Sequence, residues 1–139
     1  MRRSAMLVLL LAVAGCGAST EPEDLFDPAN EDHQHLETTI RKELDKPEGE
    51  LTKEDLLKVE SLSLPGPQRI SDIGPMRGLV NLKRANLQHN NITDLTPLYG
   101  LTKMKYIFLN DNPELTLDDI DDLKAALPHC AVHHSIKKK

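Results

Sequence analysis

Apolar residues in this chain recur in pairs, with a single residue between the two members. The pairs are Leu62/Leu64, Ala85/Leu87, Ile107/Leu109 and Cys130/Val132. They follow one another at intervals of 23, 22 and 23 residues. Such alternation is typical of a short β-strand with one buried face, so the paired residues are predicted to point inward. The pattern therefore predicts four short, evenly spaced strands.

The segments between the strands repeat as well. Residues 70–76 read Ile-Ser-Asp-Ile-Gly-Pro-Met and residues 92–98 read Ile-Thr-Asp-Leu-Thr-Pro-Leu, a spacing of 22 residues. Thr96 followed by Pro97 suits the start of a short helical turn. A period of about 20 to 29 residues is characteristic of leucine-rich repeats, whose coils stack because none buries its apolar face alone. We predict an α/β fold, a short leucine-rich repeat solenoid with parallel strands on the concave face and short helical turns on the convex face.

Residues 34–57 are predicted to form a helical N-terminal cap. Leu36, Ile40 and Leu44 form an apolar stripe at helical spacing, and Thr52 with Asp55 fits a capping box. This helix, the turn Lys-Pro-Glu-Gly at 46–49 and the segment that follows it resemble the N-terminal cap of internalin-like bacterial leucine-rich repeat proteins. The resemblance extends over about residues 34 to 134 and implies a noncatalytic protein-binding module.

The repeats are assigned to residues 58–135 and include a helical C-terminal cap. Thr116 can begin this helix and Pro128 can end it. Asn90 and Asn112 each stand three residues after an inward leucine. A side-chain amide there can donate to and accept from the backbone of an adjacent turn. By the resemblance, these two residues form an asparagine ladder.

Residues 1–15 are predicted to be a lipoprotein signal peptide. Two arginines precede a short apolar run, and the order Val13-Ala14-Gly15-Cys16 resembles the bacterial lipobox. Cleavage before Cys16 would leave a lipidated N-terminus that tethers the chain to a membrane. We therefore expect a lipid-anchored location in the cell envelope, at the outer membrane, facing either the periplasm or the exterior.

Residues 16–33 are expected to be a disordered acidic tether, and residues 136–139 a basic tail. The whole chain has a formal charge of −5. Removal of residues 1–15 takes away two arginines and no acid, which gives 15 − 22 = −7. This acidic balance gives no support to nucleic-acid binding. We expect a monomer with an unknown protein partner.

The outward strand positions are the candidate binding site on the concave face. They are Arg84, Asn86, Gln88, Tyr106, Phe108 and Asn110. Two of the chain's four aromatic residues would point away from the core, as anchors of protein contacts often do. The alternative is that residues 131–136 fold back and cover them.

No catalytic or cofactor-binding constellation is recognisable in the sequence. Cys130 is interpreted as a small inward apolar residue, and His133 as outward, so a metal or redox site at this cysteine and its neighbouring histidines is the less favoured reading. An intermolecular disulfide through Cys130 remains open. We expect no enzyme activity, no cofactor and no metal. The alternative function is an envelope-organising lipoprotein without a specific ligand.

Overall fold

The computed structural model describes residues 25–64, 66 and 69–137, which form one stack of short coils. The helices are α1 (Glu31–Glu43), α2 (Lys53–Leu56) and α3 (Leu117–Ala126). The strands are β1 (Ser61–Ser63), β2 (Arg84–Asn86), β3 (Tyr106–Phe108) and β4 (Ala131–His133). Two 3-10 turns, Gly74–Gly78 and Thr96–Leu98, connect β1 to β2 and β2 to β3. Within the described residues no helix has the length and apolarity needed to cross a bilayer.

The four strands form one parallel sheet in the order β1-β2-β3-β4. Leu62 pairs with Ala85, and Ala85 pairs with Ile107, as the repeat period predicts. Ala85, Leu87 and Ile107 are fully buried, and Leu109 is 1% exposed. The predicted α/β leucine-rich solenoid, with parallel strands and short helical turns between them, is therefore confirmed.

The predicted capping box at Thr52 is present, and a second one is found at Thr116, which was predicted only as the first residue of its helix. The Thr52 hydroxyl accepts from the backbone N–H of Asp55, whose carboxylate accepts from the backbone N–H of Thr52. Thr116 and Asp119 form the same reciprocal pair at the start of α3. Hydrogen bonds from the Lys46 ammonium and from the Thr52 backbone hold the pKa of Asp55 well below its usual range. Proton binding at this carboxyl is therefore suppressed, and its stabilising contacts persist until the pH falls far below the ordinary pKa of an aspartate.

The ladder asparagines are buried, with exposed fractions of 2% for Asn90 and 3% for Asn112. The Oδ1 atom of Asn90 accepts from the backbone N–H of Ile70 at 3.0 Å, and its Nδ2 atom donates to the carbonyl of Leu64 at 2.7 Å. One coil later, Asn112 accepts from the N–H of Ile92 at 3.2 Å and donates to the carbonyl of Leu87 at 2.9 Å. Each amide thus pairs two backbone groups of the preceding coil that would otherwise be buried without partners.

The fourth strand differs from the predicted register. The structure pairs Ile107 with Val132, so the last interval is 132 − 107 = 25 residues and Cys130 lies just before β4. Cys130 and Val132 both pack against the core, as predicted for an inward pair, but the predicted alignment of Cys130 with Ile107 is wrong by two residues. The reason is α3: a ten-residue helix and its exit turn replace the short 3-10 turn of the other coils and lengthen the unit.

The N-terminal cap begins earlier than predicted, because part of the expected tether is folded. Helix α1 starts at Glu31, and the Asn30 side chain caps it by accepting from the N–H groups of Asp32 and His33. Leu25 is only 4% exposed, and its Cδ2 atom lies so close to Gly78 that a Cβ there would be 2.6 Å away. The boundary at residue 33 is therefore wrong, and the folded domain includes the segment from Leu25 onward.

Asp32 fastens this early segment to the first repeat. Its Oδ2 atom accepts from the N–H and the hydroxyl of Ser71 and from the N–H of Asp72, each at 2.9 Å. Partial burial raises the pKa of Asp32, but these hydrogen bonds outweigh it and leave the pKa below its ordinary value. The Nε2 atom of His33 lies 3.0 Å from Oδ2 of Asp72 and adds a further link. The cap is thus joined to the repeats by polar contacts as well as by Leu25.

Replacing Leu25 with alanine tests whether residues 25–33 belong to the folded domain. We expect Leu25→Ala to lower the free energy of unfolding by about 2 kcal/mol or more, because it leaves a cavity beside Gly78. Equilibrium urea unfolding followed by far-ultraviolet circular dichroism measures the change. The control is Val80→Ala, at a side chain that is 44% exposed, for which a change within about 0.5 kcal/mol is expected. Equal stability of the two variants would show that residues 25–33 are not part of the folded domain and belong to the tether.

Candidate functional site

The outward side chains of the four strands form two parallel rows, which together we call the strand face. One row is Ser61, Arg84, Tyr106 and Ala131. The other row is Ser63, Asn86, Phe108 and His133. The repeat places them in register, since neighbouring strands of a sheet lie about 4.8 Å apart. Four of the predicted site residues, Arg84, Asn86, Tyr106 and Phe108, are therefore brought together on one surface.

Tyr106 is the most exposed large apolar side chain among the described residues, at 51%. It lies beside Arg84 on one neighbouring strand and Ala131 on the other. A solvent-exposed aromatic ring on an inner strand is a typical anchor for a partner, because its apolar area is large and its conformational freedom is small.

The Phe108 ring is less accessible to a binding partner than the sequence predicted, because other side chains cover part of it. The His133 ring stacks on it, with centroids 4.8 Å apart and planes 9° from parallel. The guanidinium carbon of Arg84 lies 5.4 Å from the centre of the Phe108 ring, which is a cation–π distance. His133 is one of residues 131–136, so the alternative that this segment covers the aromatic residues holds for Phe108, although His133 makes the contact from the adjacent strand β4 and not by folding back. The stack was not foreseen because the predicted register of the fourth strand was off by two residues.

Gln88 and Asn110 lie past the ends of their strands and are half-buried. The carbonyl of Gln88 accepts from the N–H of Gly66, and the carbonyl of Asn110 accepts from the N–H of His89. Asn86 uses its Oδ1 atom to accept from the N–H of Gln88 at 3.2 Å. These residues form a polar margin beside the ladder, where backbone groups already have structural partners.

Cys130 and the nearby histidines do not assemble into a site within the part of the chain that the structure describes. Cys130 is half-buried against the core, and burial raises the pKa of its thiol, which disfavours the reactive thiolate. No group of three or more His, Cys, Asp or Glu side chains among the described residues could hold a metal ion. His133 is instead engaged by Phe108. Cys16, the predicted lipidation site, lies outside the described residues.

A groove runs along the side of the stack where the ladder residues Asn90 and Asn112 lie. Its lining includes Arg69, His89, Asp111 and Ser135. The Nδ1 atom of His89 lies 3.2 Å from Oδ2 of Asp111, but both side chains are more than half exposed, so water weakens the pair. The Ser135 hydroxyl accepts from the N–H of Asp111 at 2.9 Å and ties the last described residues to the third coil. The described residues of this groove thus connect neighbouring coils.

Comparison with known proteins agrees with the repeat architecture. Residues 80–125 match the family model described as Leucine Rich repeats (2 copies). No curated protein sequence matches the chain. Among solved structures, internalin C2 from Listeria monocytogenes is 28% identical with a TM-score of 0.62, over 70% of this chain and 42% of that chain. A second internalin from the same organism, InlF, is 19% identical with a TM-score of 0.49, over 84% of this chain and 46% of that chain.

The chain thus spans less than half of the length of either internalin structure. The matched repeat region contains β2, β3 and most of α3, and the whole stack from cap to cap has the parallel strands and short turns described above. The chain therefore has a leucine-rich repeat fold, and it is similar in fold and in repeat sequence to internalin C2.

Proposed function

We propose that the protein is a noncatalytic protein-binding module that captures its partner on the strand face. The observation that supports this most is Tyr106, which stays 51% exposed at the start of the inner strand β3 while the apolar residues on the opposite side of the sheet are buried. Beside it, the Arg84–Phe108–His133 stack holds three side chains in fixed positions. Preformed surfaces of this kind lose little conformational entropy when they bind.

Asn86, Gln88 and Asn110 supply polar specificity around the Tyr106 anchor in this proposal. Each is half-exposed at a fixed place along the sheet margin. Interfaces commonly combine a few aromatic or arginine anchors with a polar surround that excludes water. An organising role without a specific ligand remains the alternative, and it predicts that substitutions on this face leave envelope contacts unchanged.

We further propose that the module is a lipoprotein held at the outer membrane through Cys16. The order of two arginines, an apolar run and Val13-Ala14-Gly15-Cys16 supports this. With the charge of 15 − 22 = −7 after cleavage, the folded domain would be repelled by anionic headgroups and would stand away from them. The strand face would then be accessible to a partner in the periplasm or outside the cell.

Metabolic labelling with an alkyne analogue of palmitate tests the anchor. The wild-type chain is expected to incorporate the label and to fractionate with outer membranes, because the Cys16 thiol and the new N-terminus would carry acyl chains. The Cys16→Ser variant should lose both the label and the membrane association. Cys130→Ser is the matched control and should keep both. Unlabelled wild-type protein in the soluble fraction would rule out the lipid anchor.

Recovery of partners from native envelope tests the binding face. Tyr106→Ala is expected to weaken capture by at least about tenfold, because truncating a central aromatic anchor removes most of its buried contact area. The matched control is Val80→Ala, which removes an exposed apolar side chain outside the strands. Quantitative mass spectrometry of crosslinked complexes measures the recovery, and circular dichroism checks the fold. Equal recovery with both variants, each still folded, would count against the site.

A further inference from the structure

Three lysines gather at the edge of the sheet where the strands begin, and we call Lys83, Lys103 and Lys105 the basic edge. Lys83 and Lys105 directly precede β2 and β3, and the N–H of Lys105 donates to the carbonyl of Lys83 at 2.7 Å. Their side chains therefore start on adjacent strands. Lys103 lies next to them, with its Nζ atom 2.6 Å from Oδ1 of Asn81.

The basic edge is incompletely neutralised by the chain itself. Lys83 pairs with Glu60 at 2.8 Å, and both side chains are substantially exposed. The hydrogen bond and charge of Lys83 lower the pKa of Glu60, and Lys103 and Lys105 contribute through their charges. Within the described residues, Lys103, Lys105 and Arg84 have no ion pair with a carboxylate. Glu60 is thus the carboxylate that faces all three lysines of the basic edge.

Charge is segregated in this protein, although the chain is acidic overall at −5. The two rows of the strand face contain Arg84 and His133 and no Asp or Glu. Exposed carboxylates lie elsewhere, for example on α3 at Asp118, Asp121 and Asp122. The like charges of Lys83 and Lys105 at neighbouring strand starts oppose folding, and the pair of Lys83 with Glu60 offsets this repulsion only in part.

The basic edge and the aromatic anchor belong to one hollow. Lys83, Lys103, Lys105, Tyr106 and His129 all line it. A ligand in this hollow would meet ammonium groups and an aromatic ring at the same time. Arg84 borders the hollow from the adjacent strand, opposite Tyr106.

We propose that the basic edge, together with Arg84 and Tyr106 of the strand face, recognises an acidic segment of a partner protein. Carboxylates of that segment would pair with Lys83, Lys103, Lys105 and Arg84, and an apolar side chain between them would pack on Tyr106. The inference rests on the proposed function and specifies the chemistry of its partner. A lipid surface fits less well, because the acidic remainder of the chain would be repelled by anionic headgroups. Opposite charges across such an interface speed association and select the partner, and both effects weaken with salt.

Selection from a random peptide display library tests the proposal, because such a library presents acidic, neutral and basic segments in competition. The purified full-length protein serves as bait, and the enriched peptides are then synthesised with a fluorescent label for binding measurements. We expect enrichment of peptides with net negative charge and an apolar residue, with binding that weakens as ionic strength rises. The variant Lys83→Gln/Lys103→Gln/Lys105→Gln should lower the affinity by about tenfold or more.

The matched control is Lys42→Gln/Lys53→Gln/Lys124→Gln, which removes the same charge from exposed helical positions away from the strand face. It should keep nearly the wild-type affinity. Equal loss in the two triple variants, neutral or basic enriched peptides, or no enrichment would each overturn the acidic-partner proposal. Neutral peptides that need Tyr106 but not the basic edge would leave the proposed function standing. Lysine-dependent binding to phosphatidylglycerol vesicles, with no acidic peptide enriched, would identify a lipid surface instead and overturn the proposal.

Discussion

The structure depends on the pairing of buried backbone groups between successive coils. A thin stack must turn its chain sharply after every strand, and each turn leaves N–H and C=O groups facing the apolar interior. Asn90 and Asn112 reach back by one coil and satisfy these groups with a single side chain each. Without them the coils would still share leucine contacts, but the polar backbone between those leucines would be desolvated without compensation.

The ends of the stack meet the same requirement by different means. At the N-terminal end, α1 covers the first coil, while the Asp32 carboxylate receives three hydrogen bonds from Ser71 and Asp72. At the other end, α3 takes the place of a 3-10 turn, and β4 completes the sheet. On the strand face between these ends, Arg84, Phe108 and His133 contact one another across neighbouring strands. The Tyr106 side chain takes no part in that stack and remains 51% exposed.

Most of the fold could be predicted from the repeat period, because the inward leucines of adjacent coils must align. The two-residue alternation within each strand then determines which side chains face outward. Arg84, Asn86, Tyr106 and Phe108 could be placed on one surface from that rule alone. The fourth strand could not, since the length of a helix and its exit turn is not fixed by the period of the coils before it. The early start of the cap was also hidden: an acidic composition suggested disorder, whereas Asn30 ahead of Glu31 was a local capping signal. The Phe108–His133 stack could not be predicted either, because it depends on the register of the fourth strand.

The most direct test of the ladder is the stability of Asn90→Ala compared with that of Asn91→Ala, its neighbour outside the ladder. Equilibrium urea unfolding should show a loss of at least about 2 kcal/mol for Asn90→Ala, because the N–H of Ile70 and the carbonyl of Leu64 would be left buried without partners. For Asn91→Ala the change should stay within about 0.5 kcal/mol. Equal stabilities of the two variants would contradict the ladder as the interaction that holds the coils together.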